Sequence, residues 1–297
     1  MRIALYSLEG EKPRLGVVTE RGCVDLADLG IRVRTFAGFW EAWPAISGDV
    51  RSRLDGAPYH DVEDVEWHLP VDADATFWAA AANYSEHLAE GSFARPDFPP
   101  FFIRSASSLV PHGGSVHKPW FSDRLDYEGE LAIIIGARAR HVSEQDALKH
   151  VAGYTCFNDG SVRDWQRHTN QITVGKNFFA SGALGPWITT ADDVGDIDGR
   201  MLRTAVNDRV VQSSAVGEAI WGVRYVVSYL SAVTVLRPGD VIALGTPGGV
   251  GARQTPPLFL RAGDRVEITI EGVGTLAHGV TEPVATSAPW PAGVTRS

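Results

Sequence analysis

Glu128 and Glu130 open an apolar run, Leu131-Ala132-Ile133-Ile134-Ile135, that ends at Gly136. β-Branched residues closed by glycine read as a buried strand. Alternate residues of a strand share a face, so Glu128 and Glu130 point one way and Gly129 the other. Two like charges buried side by side are costly unless something compensates them. A hard dication does so, and oxygen ligands suit Mg²⁺, Mn²⁺ or Ca²⁺. The plain alternative is a solvated strand start. A third carboxylate, Asp159, ends a second apolar strand, Tyr154-Thr155-Cys156-Phe157, at the turn signal Asn158-Asp159-Gly160.

Glu-x-Glu at a strand start, followed by Asn158-Asp159 and Arg163-Asp164-Trp165-Gln166, resembles the fumarylacetoacetate hydrolase family. The similarity continues through Val174-Gly175-Lys176-Asn177-Phe178, Leu184-Gly185-Pro186-Trp187-Ile188, Leu236-Arg237-Pro238-Gly239-Asp240, Gly245-Thr246-Pro247-Gly248-Gly249-Val250-Gly251 and Glu271-Gly272-Val273-Gly274-Thr275-Leu276. The resemblance implies that Glu128, Glu130 and Asp159 hold Mg²⁺ or Mn²⁺, with Ca²⁺ an alternative. It implies that His87 and Glu90 move a proton or activate water, and that Lys176 neutralises a substrate carboxylate or developing enolate. Arg163, Gln166 and Thr246 fall on the substrate side. Three residues apart on a helix, His87 and Glu90 share a face, so the carboxylate can orient the imidazole; Glu86 is the alternative partner if the segment is not helical. Arg104 stands where the family often has lysine, but Ser105 replaces the proline that follows there, so it is given no role. Gly160 and Val162 depart from the family pattern, and so does the tract Gln212–Trp221, which bears on substrate identity.

The activity implied first is hydrolysis of a C–C bond in a 2,4-dioxo acid or acylpyruvate-like compound. Decarboxylation of an oxaloacetate-type acid and isomerisation of a 2-oxo-enoic acid use the same metal-held enolate. A non-catalytic scaffold is the reading from a different class, and clustered carboxylates argue against it. The partner is then a small oxo acid, in a catabolic enzyme that the resemblance makes a homodimer.

Positioning these groups needs a β-rich frame. The 297 residues, 44% hydrophobic and 21% charged, have a globular composition. A net charge of -9 without a basic block disfavours nucleic acid and anionic membrane. The glycine-rich Gly245–Gly251 turn lacks a P-loop lysine and is no nucleotide site. Cys23 and Cys156 lack ligand spacing and read as reduced thiols, with cytoplasm the expected compartment. The expected fold is mixed and β-rich (α+β), implied by the resemblance to be a β-roll with few helices. The expected domains are a small N-terminal α/β domain, 1–70, and a catalytic domain, 71–297. In the first, Arg2–Ser7 and Leu15–Val18 form a hairpin, while Val24–Gly30 and Phe36–Trp43 read as short helices. Further helices are expected near Ser143–Leu148, opened by a Ser143/Asp146 cap, and over Ile220–Val233. The Pro/Ala/Thr-rich tail after Glu282 reads as loosely ordered.

Overall fold

The computed structural model describes residues 1–92 and 94–282; the tail expected to be loosely ordered lies outside them. Among the described residues three sheets, the smallest pairing Leu125–Asp126 with Ser161–Val162, and five α-helices make a β-rich architecture of the expected class. The large sheet has eleven strands. Its path runs Cys23–Asp25, Arg14–Val18, Arg2–Ser7, Gly182–Thr190, Val151–Asn158, Gly129–Ile135, Val241–Ala243, Phe77–Ala80 and Phe101–Arg104. The second sheet orders Arg209–Ala215, Met201–Val206, Arg265–Ile270, Gly274–Thr281 and Ser115–His117.

Gly129–Ile135 is buried along its whole length because both of its faces are covered. Leu131, Ile133 and Ile135 pack with Ile268, Leu276 and Val227, in the core shared with the second sheet and helix Val223–Val233. Ala132 and Ile134 pack with Phe39 and Trp40 of helix Phe36–Arg53, on the opposite face. The apolar run of the sequence is therefore a sandwiched central strand, with the glutamates at its open end.

The hairpin Arg2–Ser7/Arg14–Val18 forms in antiparallel register and joins the large sheet through Ile3↔Ile188. Four local expectations are corrected. Val24–Gly30 is no helix: Cys23–Asp25 pairs with Gly16–Val18, and the rest closes as turns, too short to nucleate a helix. The helix at Phe36 does not stop at Trp43 but runs through Pro44 to Arg53, its buried Phe39, Trp40 and Val50 outweighing the lost hydrogen bond. Only a 3₁₀ turn, Ala147–His150, forms near Ser143, because the strand Val151–Asn158 follows at once; the Ser143–Asp146 contact is present. The last helix starts at Val223, because Asn83 holds the N–H groups of Ile220 (2.7 Å) and Trp221 (2.8 Å). Both cysteines are buried free thiols, pushed up to about 12 chiefly by burial. Among the described residues no helix is long and apolar enough to cross a membrane.

Candidate metal centre

Register brings the carboxylates together. Gly129 pairs with Asn158 and Glu130 with Phe157 across the antiparallel strands. One step outward, the Asp159 N–H donates to Glu128 O at 2.8 Å, so Asp159 lies opposite Glu128 and diagonal to Glu130. All three are buried, and one carboxylate oxygen from each falls within 4.8 Å of the others. Glycine is required at 129, because a Cβ built there collides with the Thr204 hydroxyl. That face is held by Gln212, which accepts the Gly129 N–H at 2.9 Å and donates to Thr246 Oγ1 at 2.8 Å. Thr246 in turn donates to Gly129 O at 2.9 Å, so the backbone between the two glutamates engages its hydroxyl hydrogen.

Three cations face the triad. Lys176 donates to Glu128 at 2.7 Å and to Asp159, and lies over the Phe102 ring. Arg163 donates through Nη1 to Glu128 at 2.6 Å and to Gln166 at 3.1 Å, and through Nε to Asp126 at 2.7 Å. Its buried Nη2 has no partner among the described residues. Arg104, fully buried, donates to Asp159, to Gly160 O at 3.1 Å and to the Ser108 and Ser181 hydroxyls, both at 3.2 Å. Against these three cations stand four carboxylates: Asp126, Glu128, Glu130 and Asp159.

The donor set fits a hard dication. Burial would raise the Glu128 carboxyl, but Lys176 and Arg163 hold it well below the carboxylate range. Among the described residues Glu130 accepts only the Gly245 N–H, at 2.9 Å, and no cationic side chain hydrogen-bonds it. Burial, then Asp159 and Glu128, push its carboxyl well above the ordinary value. A uniformly oxygen-lined, like-charged cluster of this kind is relieved by Mg²⁺, Mn²⁺ or Ca²⁺.

His87 and Glu90 lie on the short helix Ser85–Gly91. Burial, with Arg163 and Lys176 partly opposed by Glu128, pushes the His87 imidazole down to about 4. Its Nδ1 is buried without a partner among the described residues. Glu90 does not reach it; its Oε1 accepts the Gly249 N–H at 2.8 Å instead. Thus His87, Lys176, Arg163 and Gln166 gather at the triad, whereas Glu90 clamps the glycine turn and Thr246 braces the strand.

Sequence reasoning missed two members and set Arg104 aside. Asp126 continues the two-residue spacing of Glu128 and Glu130. It is fully buried, accepts the N–H groups of Gly251 (2.8 Å) and Ala252 (2.9 Å), and anchors Arg163. Asn158 accepts the Glu128 N–H at 3.0 Å and contacts His278 Nε2 at 2.8 Å through Nδ2. For Arg104 the signal was a cation inside the apolar strand Phe101-Phe102-Ile103-Arg104. Gly160 also has a structural cause, since a Cβ there strikes the backbone oxygen of Ser181.

Two predictions arise from this shell. Arg104→Met leaves an acid buried with one counter-charge fewer, and is expected to lower stability in urea by about 3 kcal/mol. Arg104→Lys, which keeps the charge but not the fork, is expected to lose about 1 kcal/mol. Equal stability of wild type and Arg104→Met would remove Arg104 from the shell. The second concerns His278, where burial pushes the imidazole down from 6.5 to about 4. Its Nδ1 faces Gly279 O, leaving Nε2 to accept from Asn158. The folded state therefore keeps His278 neutral, so its contribution is complete above pH 6.5 and is lost as pH falls from 6.5 towards 4. Between pH 7 and 4.5 wild type is expected to lose about 2 kcal/mol more than His278→Met in urea titrations. Parallel losses in both proteins would contradict this.

Residues 76–281 match the family described as fumarylacetoacetate (FAA) hydrolase, C-terminal. A fumarylacetoacetate hydrolase domain-containing protein 2 homolog of Dictyostelium discoideum is 34% identical, over 91% of this chain and 93% of its own. Oxaloacetate tautomerase YisK of Bacillus subtilis is 35% identical over 76% of each chain. Among solved structures, maleylpyruvate hydrolase from Sphingobium sp. SYK-6, in complex with manganese(II) ion and pyruvate, superposes with a TM-score of 0.79. It is 29% identical, covering 95% of this chain and 99% of that one.

Proposed function

This chain belongs to the fumarylacetoacetate hydrolase family, and from that premise we propose that it is a divalent-metal-dependent enzyme interconverting a small 2-oxo acid and its enol. The observation that carries this reading is the buried Glu128/Glu130/Asp159 cluster beside a neutral imidazole with an unpartnered nitrogen. The relative called an oxaloacetate tautomerase supports an oxaloacetate-type acid as substrate, and the neighbour with manganese and pyruvate supports Mn²⁺ or Mg²⁺ ahead of Ca²⁺.

When bound, the dication supplies polarisation of the substrate carbonyl and stabilises the charge that develops on its oxygen. His87, neutral at pH 7, takes the proton from the carbon next to that carbonyl; the C–H electron pair forms the C=C bond as the carbonyl π pair moves onto the oxygen. Lys176, shared by Glu128 and Asp159, brings positive charge to the same place. The free Nη2 of Arg163 donates to the substrate carboxylate, its direction fixed by Asp126 and Gln166. Protonation of the oxygen completes the enol; the reverse sequence returns the oxo acid.

Cleavage of a 2,4-dioxo acid remains the second reading, favoured by the hydrolase neighbour and by His87 and Glu90 sharing one short helix. It needs an activated water as well, and therefore Glu90 released from Gly249. That requirement places proton transfer ahead of hydrolysis. Metal-reconstituted protein is assayed on enol-oxaloacetate, on acylpyruvates and for carbon dioxide release from oxaloacetate, each with and without chelator. Chelator-sensitive ketonisation is the expected result. Acylpyruvate cleavage without ketonisation would establish the second reading, and a metal-loaded protein inert on all three would contradict both.

A further inference from the structure

At the end of Gly129–Ile135 away from the triad, where the strand passes into Gly136, lies a cavity of about 550 Å³. That volume falls within the range of small-molecule sites. Seven residues at about 3.3 Å each separate it from the carboxylates by roughly 20 Å, so it is not part of the centre described above. Its walls are helix Phe36–Arg53, the turn before the strand Phe77–Ala80, and the loop leading into Val241–Ala243.

One feature of the wall is two arginines side by side. Ala139 and Leu236 form an isolated antiparallel bridge, exchanging N–H···O bonds of 3.0 Å in both directions. Residues flanking such a bridge face each other, which sets Arg138 against Arg237 with Cβ atoms about 4.5–5.5 Å apart. Both are exposed and both line the cavity. Like charges directly opposite one another are destabilising, yet neither guanidinium has a hydrogen-bond or ion-pair partner among the described residues.

The nearby acids do not serve them. Asp240 accepts the N–H groups of Thr76 (2.9 Å) and Arg237 (2.8 Å), which fixes the two loops. Asp72 accepts those of Phe36 (2.9 Å) and Ala37 (2.8 Å), which closes the helix N-terminus to other anions. Glu41 and Asp74 are exposed on the wall, bonded to neither arginine. Between the charged groups Ala37, Pro44 and Pro238 present an apolar surface, backed by the buried Trp40.

We propose that this cleft binds a small organic anion with an apolar body, its acid group taken by Arg138 and Arg237 and its body by Ala37, Pro44 and Pro238. Paired guanidinium forks match the oxygens of a carboxylate, sulfonate or phosphate, and the apolar wall requires more than a bare ion.

The probe is 8-anilinonaphthalene-1-sulfonate, titrated by fluorescence into the full chain. One high-affinity equivalent is expected, with Kd raised at least tenfold in the Arg138→Gln/Arg237→Gln variant and a melting curve like wild type. Each single substitution is expected to raise Kd about threefold, which serves if the double variant does not fold. Octanoate is expected to displace the probe and inorganic phosphate at the same concentration is not. Unchanged affinity in folded arginine variants would overturn the proposal, and phosphate competing as well as octanoate would overturn the apolar half of it.

Discussion

Glu130→Gln is expected to abolish divalent-metal binding while the chain stays folded. Among the described residues Glu130 is the member of the triad with no cation hydrogen-bonded to it, and its carboxyl lies well above the ordinary range through burial and then through Asp159 and Glu128. Removing its charge in the metal-free protein removes repulsion rather than a salt bridge. The glutamine oxygen can still accept the Gly245 N–H that Glu130 accepts at 2.9 Å. Urea stability of the metal-free variant is expected within about 1 kcal/mol of wild type, because relief of repulsion offsets the lost acid. Mn²⁺ affinity by calorimetry is expected to drop at least about 100-fold, since even outer partners of metal ligands cost 10–100-fold when lost. Wild-type affinity in this variant would exclude Glu130 as a ligand.

The second large effect is at His87. His87→Gln is expected to lower kcat for enol–oxo interconversion by about 10²–10⁴, the usual contribution of a positioned acid or base. Metal affinity is expected to be unchanged, because His87 hydrogen-bonds none of the three carboxylates. With the imidazole pushed down to about 4 by burial and the nearby cations, the base is already neutral at pH 6. The kcat/KM profile should therefore show no His87-dependent inflection near 6.5; activity attributable to this group should fall only as pH approaches 4. Glu90→Gln is expected to cost less than tenfold in the same reaction, because Glu90 holds Gly249 rather than the imidazole. An equal collapse of kcat in both variants would show the pair acting as one unit and return C–C hydrolysis to first place.

How much of this was legible in the sequence depended on whether the signal was local. Glu128 and Glu130 announce themselves because strand periodicity is local, and Asp159 because a turn signal ends its strand. Their convergence depends on the Gly129↔Asn158 register, which the family resemblance implied and a single strand does not reveal. Asp126 had the same two-residue spacing but stood before the apolar run, outside the Glu-x-Glu pattern. Arg104 was discounted for lacking the following proline, yet burial beside Asp159 and Ser181 decides its role, and those neighbours come from distant segments. The partner of Glu90 was misjudged for a similar reason. Helical spacing put it near His87, but the Gly249 N–H that it meets lies 159 residues away. The helix continued past Trp43 because the far end of the segment, at Val50, is buried in the core, which Pro44 concealed.

The most direct test of enolate chemistry at the triad is deuterium exchange at C3 of a slowly enolising 2-oxo acid such as pyruvate, followed by proton NMR in D₂O. With Mg²⁺ present, exchange is expected well above the buffer rate, lost on adding chelator and lost in both Glu130→Gln and His87→Gln. Exchange at the buffer rate with metal-saturated protein, or catalysed exchange that survives the chelator, would contradict it.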